Sequence, residues 1–164
     1  MLTTIIIQNL VFLLVTTAFL FIVGWRWKEA KPFDLPLPLP IWFKSWLSVV
    51  LLIGVLLPVI VLGLVWNQSV ICLTLISYLV MLGLQILAER IAINQFHSCV
   101  WVMIPCLYLP YRIWQLYQGL TLLSFEELWL QRLLWLEIGL WIFNYFVHLS
   151  QLPRLLRWES GESS

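Results

Sequence analysis

The chain has 164 residues, of which 62% are hydrophobic and only 10% charged, with a formal net charge of +1. Its mean hydropathy of +0.96 is that of a protein that lives in a bilayer. So little charge excludes a nucleic-acid-binding surface, and so few polar residues exclude a soluble domain of any size.

The apolar residues fall into five blocks of membrane-spanning length, and the sequence predicts helices over 3–23, 46–66, 70–88, 99–120 and 128–150. A hydrocarbon core of roughly 30 Å takes about 20 helical residues. The runs are continuous and do not alternate, so they are helices and not barrel strands. The fold expected is therefore an all-α integral membrane bundle, with 1–158 as one transmembrane domain and 159–164 as a short polar tail.

The first block is expected to be a retained span and not a cleaved leader. It lacks a basic start, and Gly24, Trp25, Arg26, Trp27 is not a small-residue cleavage site. The linker that follows holds Arg26, Lys28, Lys31 and Lys44, and it ends in Pro36, Leu37, Pro38, Leu39, Pro40, an extended strap by the torsions that proline imposes. Arg90 after the third block, and Arg154 and Arg157 after the fifth, lie on the same side as that linker. The other side carries Asn67, Gln68, Ser69 and then Glu126, Glu127, so the N-terminus is expected outside and the C-terminus inside. Trp25, Trp27, Trp42 and Trp46 at one face, with Trp66 and Trp129 at the other, are expected to anchor the headgroup regions.

Polar residues inside the last two blocks mark the candidate site. Tyr108, Tyr111, Arg112, Gln115 and Gln118 recur at steps of three and four, as do Glu137, Trp141, Asn144 and His148. Each set shares one helix face. In an antiparallel hairpin Arg112 and Glu137 lie level, roughly 12 to 14 Å below the outer interface. A lone charge there costs about 3 kcal/mol on insertion scales. We therefore expect a buried Arg112–Glu137 salt bridge, with Tyr108, Gln115 and Asn144 adding hydrogen bonds and Arg132 reaching outward on another side. The pair either fixes helix register or, with His148, relays protons or holds an anion.

No second carboxylate is seen to extend such a path. Pro105 and Pro110 free the carbonyls of Trp101 and Cys106, a feature of helices that line cavities.

Other chemistries find little support. Cys72, Cys99 and Cys106 all lie within helices and show no C-x-x-C spacing, so no cofactor or metal is predicted from them. His97 and His148 fall near one face and are the candidate ligands of a haem or chlorophyll, but same-depth histidine pairs are otherwise missing. Glu126, Glu127 and Arg132 approach the glutamate pair and arginine of intramembrane prenyl-protein proteases. Here four residues separate the second Glu from the Arg, which turns the Arg about 100° further around the helix and excludes that assignment. The chain is expected not to be an enzyme.

Gln85, Glu89, Pro105, Tyr108 and Arg112, at these spacings, form a pattern that resembles small, uncharacterised multi-pass membrane proteins of cyanobacteria and plant plastids. The resemblance implies a photosynthetic-type membrane, thylakoid or bacterial plasma membrane, and brings no activity with it. The function expected is that of an accessory, assembly or scaffold subunit whose partners are the lipid bilayer and other membrane subunits or a second copy. The rivals are a small transporter or channel subunit working through Arg112, Glu137 and His148, and a tetrapyrrole binder using His97 and His148.

Overall fold

The computed structural model describes residues 2–26, 41–67, 69–94, 99–123 and 128–155, and every regular element among them is helical. Helix α1 covers Leu2–Arg26. Helix α2, Ile41–Leu51, runs through a π-helical turn at Leu52–Leu56 into α3, Leu57–Leu64. Helix α4 is Ser69–Asn94, a 3-10 turn at Cys99–Val102 leads into α5, Met103–Leu122, and α6 is Leu128–Leu155. The proline strap, His97, the Glu126–Glu127 link and the polar tail lie outside the described residues.

Four stretches are long and apolar enough to cross a membrane, Thr3–Arg26, Ile41–Leu64, Val70–Asn94 and Leu128–Ser150, and the protein is membrane-embedded. The second crossing begins at Ile41, directly after Pro40, and not at 46 as expected. The third runs past 88 to Asn94, where Gln85 Nε2 donates to Glu89 Oε1 at 2.7 Å one turn on, so the helix continues through charges that looked like a loop. Helix α5 is not among the four, because Tyr111, Arg112, Gln115 and Gln118 interrupt its apolar character.

The π-helical turn has a sequence cause. Pro58 has no N–H, so the carbonyl of Gly54 loses its usual donor four residues ahead. The Leu57 N–H reaches back five residues to the Leu52 carbonyl, and the ladder resumes beyond it. Gly54 itself is buried, and a Cβ there would stand 2.6 Å from Cζ2 of Trp141. Only hydrogen fits.

Helix α5 lies between α4 and α6, its buried face formed by Ile104, Tyr108, Leu109, Arg112, Gln115 and Leu116. The central apolar cluster joins it to α3, α4 and α6 through Val61, Leu75, Leu116, Leu130 and Leu134. Helix α1 sits at the edge, resting on α4 and on the 3-10 turn. Only 6% of its most apolar window is buried, against 44% for α4, so α1 contributes least to the core. Lipid competes with protein for apolar surface, which leaves close packing and hydrogen bonds to hold such helices together.

Helices α4 and α5 pack tightly at Gly119, where a Cβ would run into the Thr74 methyl. Gly119→Ala should therefore destabilise the detergent-solubilised protein by about 1–3 kcal/mol in a thermal or denaturant unfolding assay. Adding Thr74→Ser, which removes that methyl, should recover most of the loss. Gly83→Ala, which faces open space, should change stability by less than about 0.5 kcal/mol.

Candidate functional site

Counting from the helix ends that share one side of the bundle, Gly54, Tyr78, Arg112 and Glu137 each lie nine or ten residues in. That is about 15 Å at 1.5 Å per residue, half the thickness of a hydrocarbon core. Four successive helical stretches, α2–α3, α4, α5 and α6, thus bring their polar groups to one level of the bundle.

Arg112 and Glu137 are 1% and 0% exposed, so neither reaches lipid or water by itself. They do not form the direct ion pair expected from their depth. The guanidinium instead donates through Nη2 to Gln85 Oε1 at 2.5 Å, and it lies 4.1 Å from the centroid of the Trp141 ring and 5.7 Å from that of Tyr78. Trp141 is one turn beyond Glu137 on α6, and its ring takes the place beside the cation that a carboxylate was expected to fill. A desolvated cation on an indole is worth about 2 kcal/mol or more, which is why the aromatic contact competes with an ion pair.

Tyr78 is the node of the layer. Its hydroxyl donates to the Gly54 carbonyl, the group that Pro58 left without a donor, and accepts from Trp141 Nε1 at 2.9 Å. Glu137 Oε2 is 3.4 Å from the same hydroxyl. One phenol therefore ties the π-helical turn, α4 and α6 together. Arg112 Nε and Nη1, Glu137 Oε1 and Gln115 Oε1 are buried without a hydrogen-bond partner.

The other expected residues are drawn into separate contacts. Asn144 accepts from Trp46 Nε1 at 2.9 Å, so Trp46, expected as a headgroup anchor, is a bridge between α2 and α6. Gln115 Nε2 donates to Asn9 Oδ1 at 2.7 Å, and the Tyr111 hydroxyl donates to the same oxygen at 2.7 Å. Tyr108 meets Phe12 edge-on, while Phe12 stacks on Tyr111. His148 is half-buried one turn beyond Asn144, apart from these bonds, and any pairing with His97 falls outside the described residues. Arg132 is exposed on α6. Cys72 and Cys106 are free thiols, and no cluster of three or more metal-ligating side chains occurs among the described residues.

A second carboxylate does join the network, contrary to the expectation that none extended it. Glu89 accepts from Gln85 Nε2, and Gln85 Oε1 accepts from Arg112, so one amide links the carboxylate near the far end of α4 to the midplane guanidinium. Tyr78, Gln85 and Glu89 share a face at steps of seven and four, a stripe that could have been read from the sequence. Asn9 on α1 gave no periodic signal. No protein-family model, curated protein or solved structure matches this chain.

Tyr78→Phe removes the donor to Gly54, the acceptor of Trp141 and the neighbour of Glu137 in one step. It should destabilise the protein by about 3 kcal/mol, since each buried group left unsatisfied costs about 1–3 kcal/mol. Unfolding followed by tryptophan fluorescence will measure it, with Tyr117→Phe, on an exposed position, as the neutral control.

Proposed function

We propose that this chain is a non-enzymatic accessory, assembly or scaffold subunit of a membrane complex, crossing the bilayer five times with its N-terminus outside and its C-terminus inside. The reading rests above all on the contrast between a sealed interior and a bare first helix. Arg112 and Glu137 are enclosed by side chains from neighbouring helices, as suits groups that hold spans in register. Helix α1 uses one polar clasp, Asn9, and leaves Leu14, Phe21 and Trp25 pointing away from the bundle. An edge helix with so little of its surface engaged is a natural seat for a second membrane protein.

The fifth crossing is α5 with its preceding turn. Together they run for about 35 Å between α4 and α6, and neighbours on both sides shield the polar face that lowers its hydropathy. The orientation is supported by Arg26, Lys44, Arg90 and Arg154, which all lie at one set of helix ends. A thylakoid or bacterial plasma membrane is proposed from the resemblance over Gln85, Glu89, Pro105, Tyr108 and Arg112.

A second reading, a small transporter or channel subunit, draws on the Glu89, Gln85, Arg112 chain, which runs from the midplane toward the far end of α4. One pair of experiments separates the two. Gentle solubilisation from native membranes should yield a stoichiometric complex well above 19.3 kDa, and a photo-crosslinker at Leu14 or Phe21 should fix the same partner repeatedly. Migration as a lone monomer, with crosslinks to lipid only, removes the accessory reading. Loss of proton or anion flux in liposomes for Glu137→Gln, with unchanged folding, installs the transporter in its place.

A further inference from the structure

Glu137 is fully buried, and its Oε1 meets no hydrogen-bond donor. Its Oε2 lies 3.4 Å from the Tyr78 hydroxyl. What that contact is worth to a carboxylate depends on where the hydrogens go, and each neighbour has only one to give. The phenol's single hydrogen goes to the Gly54 carbonyl, which Pro58 leaves without its helical donor. The single indole N–H of Trp141 goes to the Tyr78 oxygen at 2.9 Å. Neither hydrogen is left for Glu137.

Arg112 supplies none either. Its Nη2 donates to Gln85 Oε1, and its Nε and Nη1 stay without acceptors although Glu137 Oε1, equally unpartnered, belongs to the same layer. An ionised carboxylate accepts at both oxygens, and a low-dielectric interior keeps it charged only where donors or an opposite charge touch it. A carboxylic acid needs just one acceptor for its O–H. One is open: a phenol oxygen has two lone pairs, and Trp141 fills one of them.

The charge of Arg112 is answered elsewhere. Glu89 accepts from Gln85 Nε2 at 2.7 Å while the other end of the same amide accepts from Arg112, so the amide couples the guanidinium to that carboxylate. Of the titratable or charged side chains around Glu137, α4 supplies Tyr78 and, beyond Gln85, Glu89, and α5 supplies Arg112. Its own helix carries His148 three turns on, and the π-helical turn brings only the Gly54 carbonyl.

We propose that Glu137 is a proton-binding site: it is a neutral carboxylic acid whose Oε2–H donates to the Tyr78 oxygen, and Glu89 is the counterion of Arg112. The hydrogen bonds then run in one direction, from Glu137 on α6 to Tyr78 on α4 to the Gly54 carbonyl, and bonds in such a chain strengthen one another. A neutral acid offers the guanidinium no charge, which accounts for the missing ion pair and for the seat of Arg112 on the Trp141 ring. The assignment holds for an accessory subunit and for a transporter alike.

Infrared absorption of the full-length protein in nanodiscs at about pH 7 tests it, because a solvated glutamate is then ionised by about 500 to 1 and gives no acid band. One protonated-carboxyl C=O stretch per chain should stand above the amide bands. It should move to lower frequency when every glutamate carries carbon-13 in its carboxyl group, which separates it from Asp34. Glu137→Gln, which keeps the shape and places an N–H donor where the acid O–H stood, should lose the whole band, and Glu89→Gln should keep it. In Glu137→Asp the band should remain but no longer respond to glutamate labelling, which decides the matter even where Glu137→Gln does not fold. No acid band in the wild-type protein, a carboxylate stretch in its place in the difference between wild type and Glu137→Gln, or a band lost in Glu89→Gln and kept in Glu137→Gln overturns the proposal.

Discussion

A guanidinium at the midplane of a bilayer-length bundle must be solvated by protein, and in this chain the solvating groups come from different helices. Gln85 of α4 accepts its hydrogen bond, and Tyr78 of α4 and Trp141 of α6 bring aromatic rings against it. Sliding α4 or α6 by one turn would carry these groups about 5 Å away from Arg112, since that is the helical pitch. Register is thereby set by a single side chain on α5. The apolar contacts of the central cluster follow from that register, because hydrocarbon surfaces do not by themselves distinguish one vertical offset from another in lipid.

The same layer explains why an irregular helix is tolerated in the second span. Pro58 opens the Gly54 carbonyl, Tyr78 closes it again, and Trp141 both donates to Tyr78 and covers the hydrogen of Gly54. Sites on α2–α3, α4 and α6 are coupled through one phenol oxygen. The Asn9 clasp is a second, smaller system at another depth, and it fastens α1 to α5. The bundle is thus specified by two polar levels, one that sets its inner helices and one that hangs the first helix on their flank.

Much of this was legible in the sequence, and the remainder was hidden for physical reasons. Helix class follows from continuous apolar runs, and the depth of Arg112 and Glu137 follows from counting along their helices. Depth says nothing about which side chain lies between two charges. Trp141 was on the expected face of α6, yet only three-dimensional packing shows that its ring, and not the carboxylate, meets the cation. Pro105 and Pro110 were read as freeing carbonyls, while the same effect of Pro58 on the Gly54 carbonyl was not. The donor that closes it, Tyr78, belongs to another helix and leaves no trace near that motif. Helix ends were read short where charges begin, as at Glu89, because an internal amide bond keeps the helix going.

The clasp on α1 also orders events during synthesis. Asn9 is joined to residues 102 and 106 positions further along the chain. At ribosomal speeds of about 5–20 residues per second, α1 emerges on the order of 5–20 s before Tyr111 and Gln115 exist. For that interval the Asn9 amide waits in the insertion machinery or at the lipid surface, so α1, made before the helix it clasps, is fastened late.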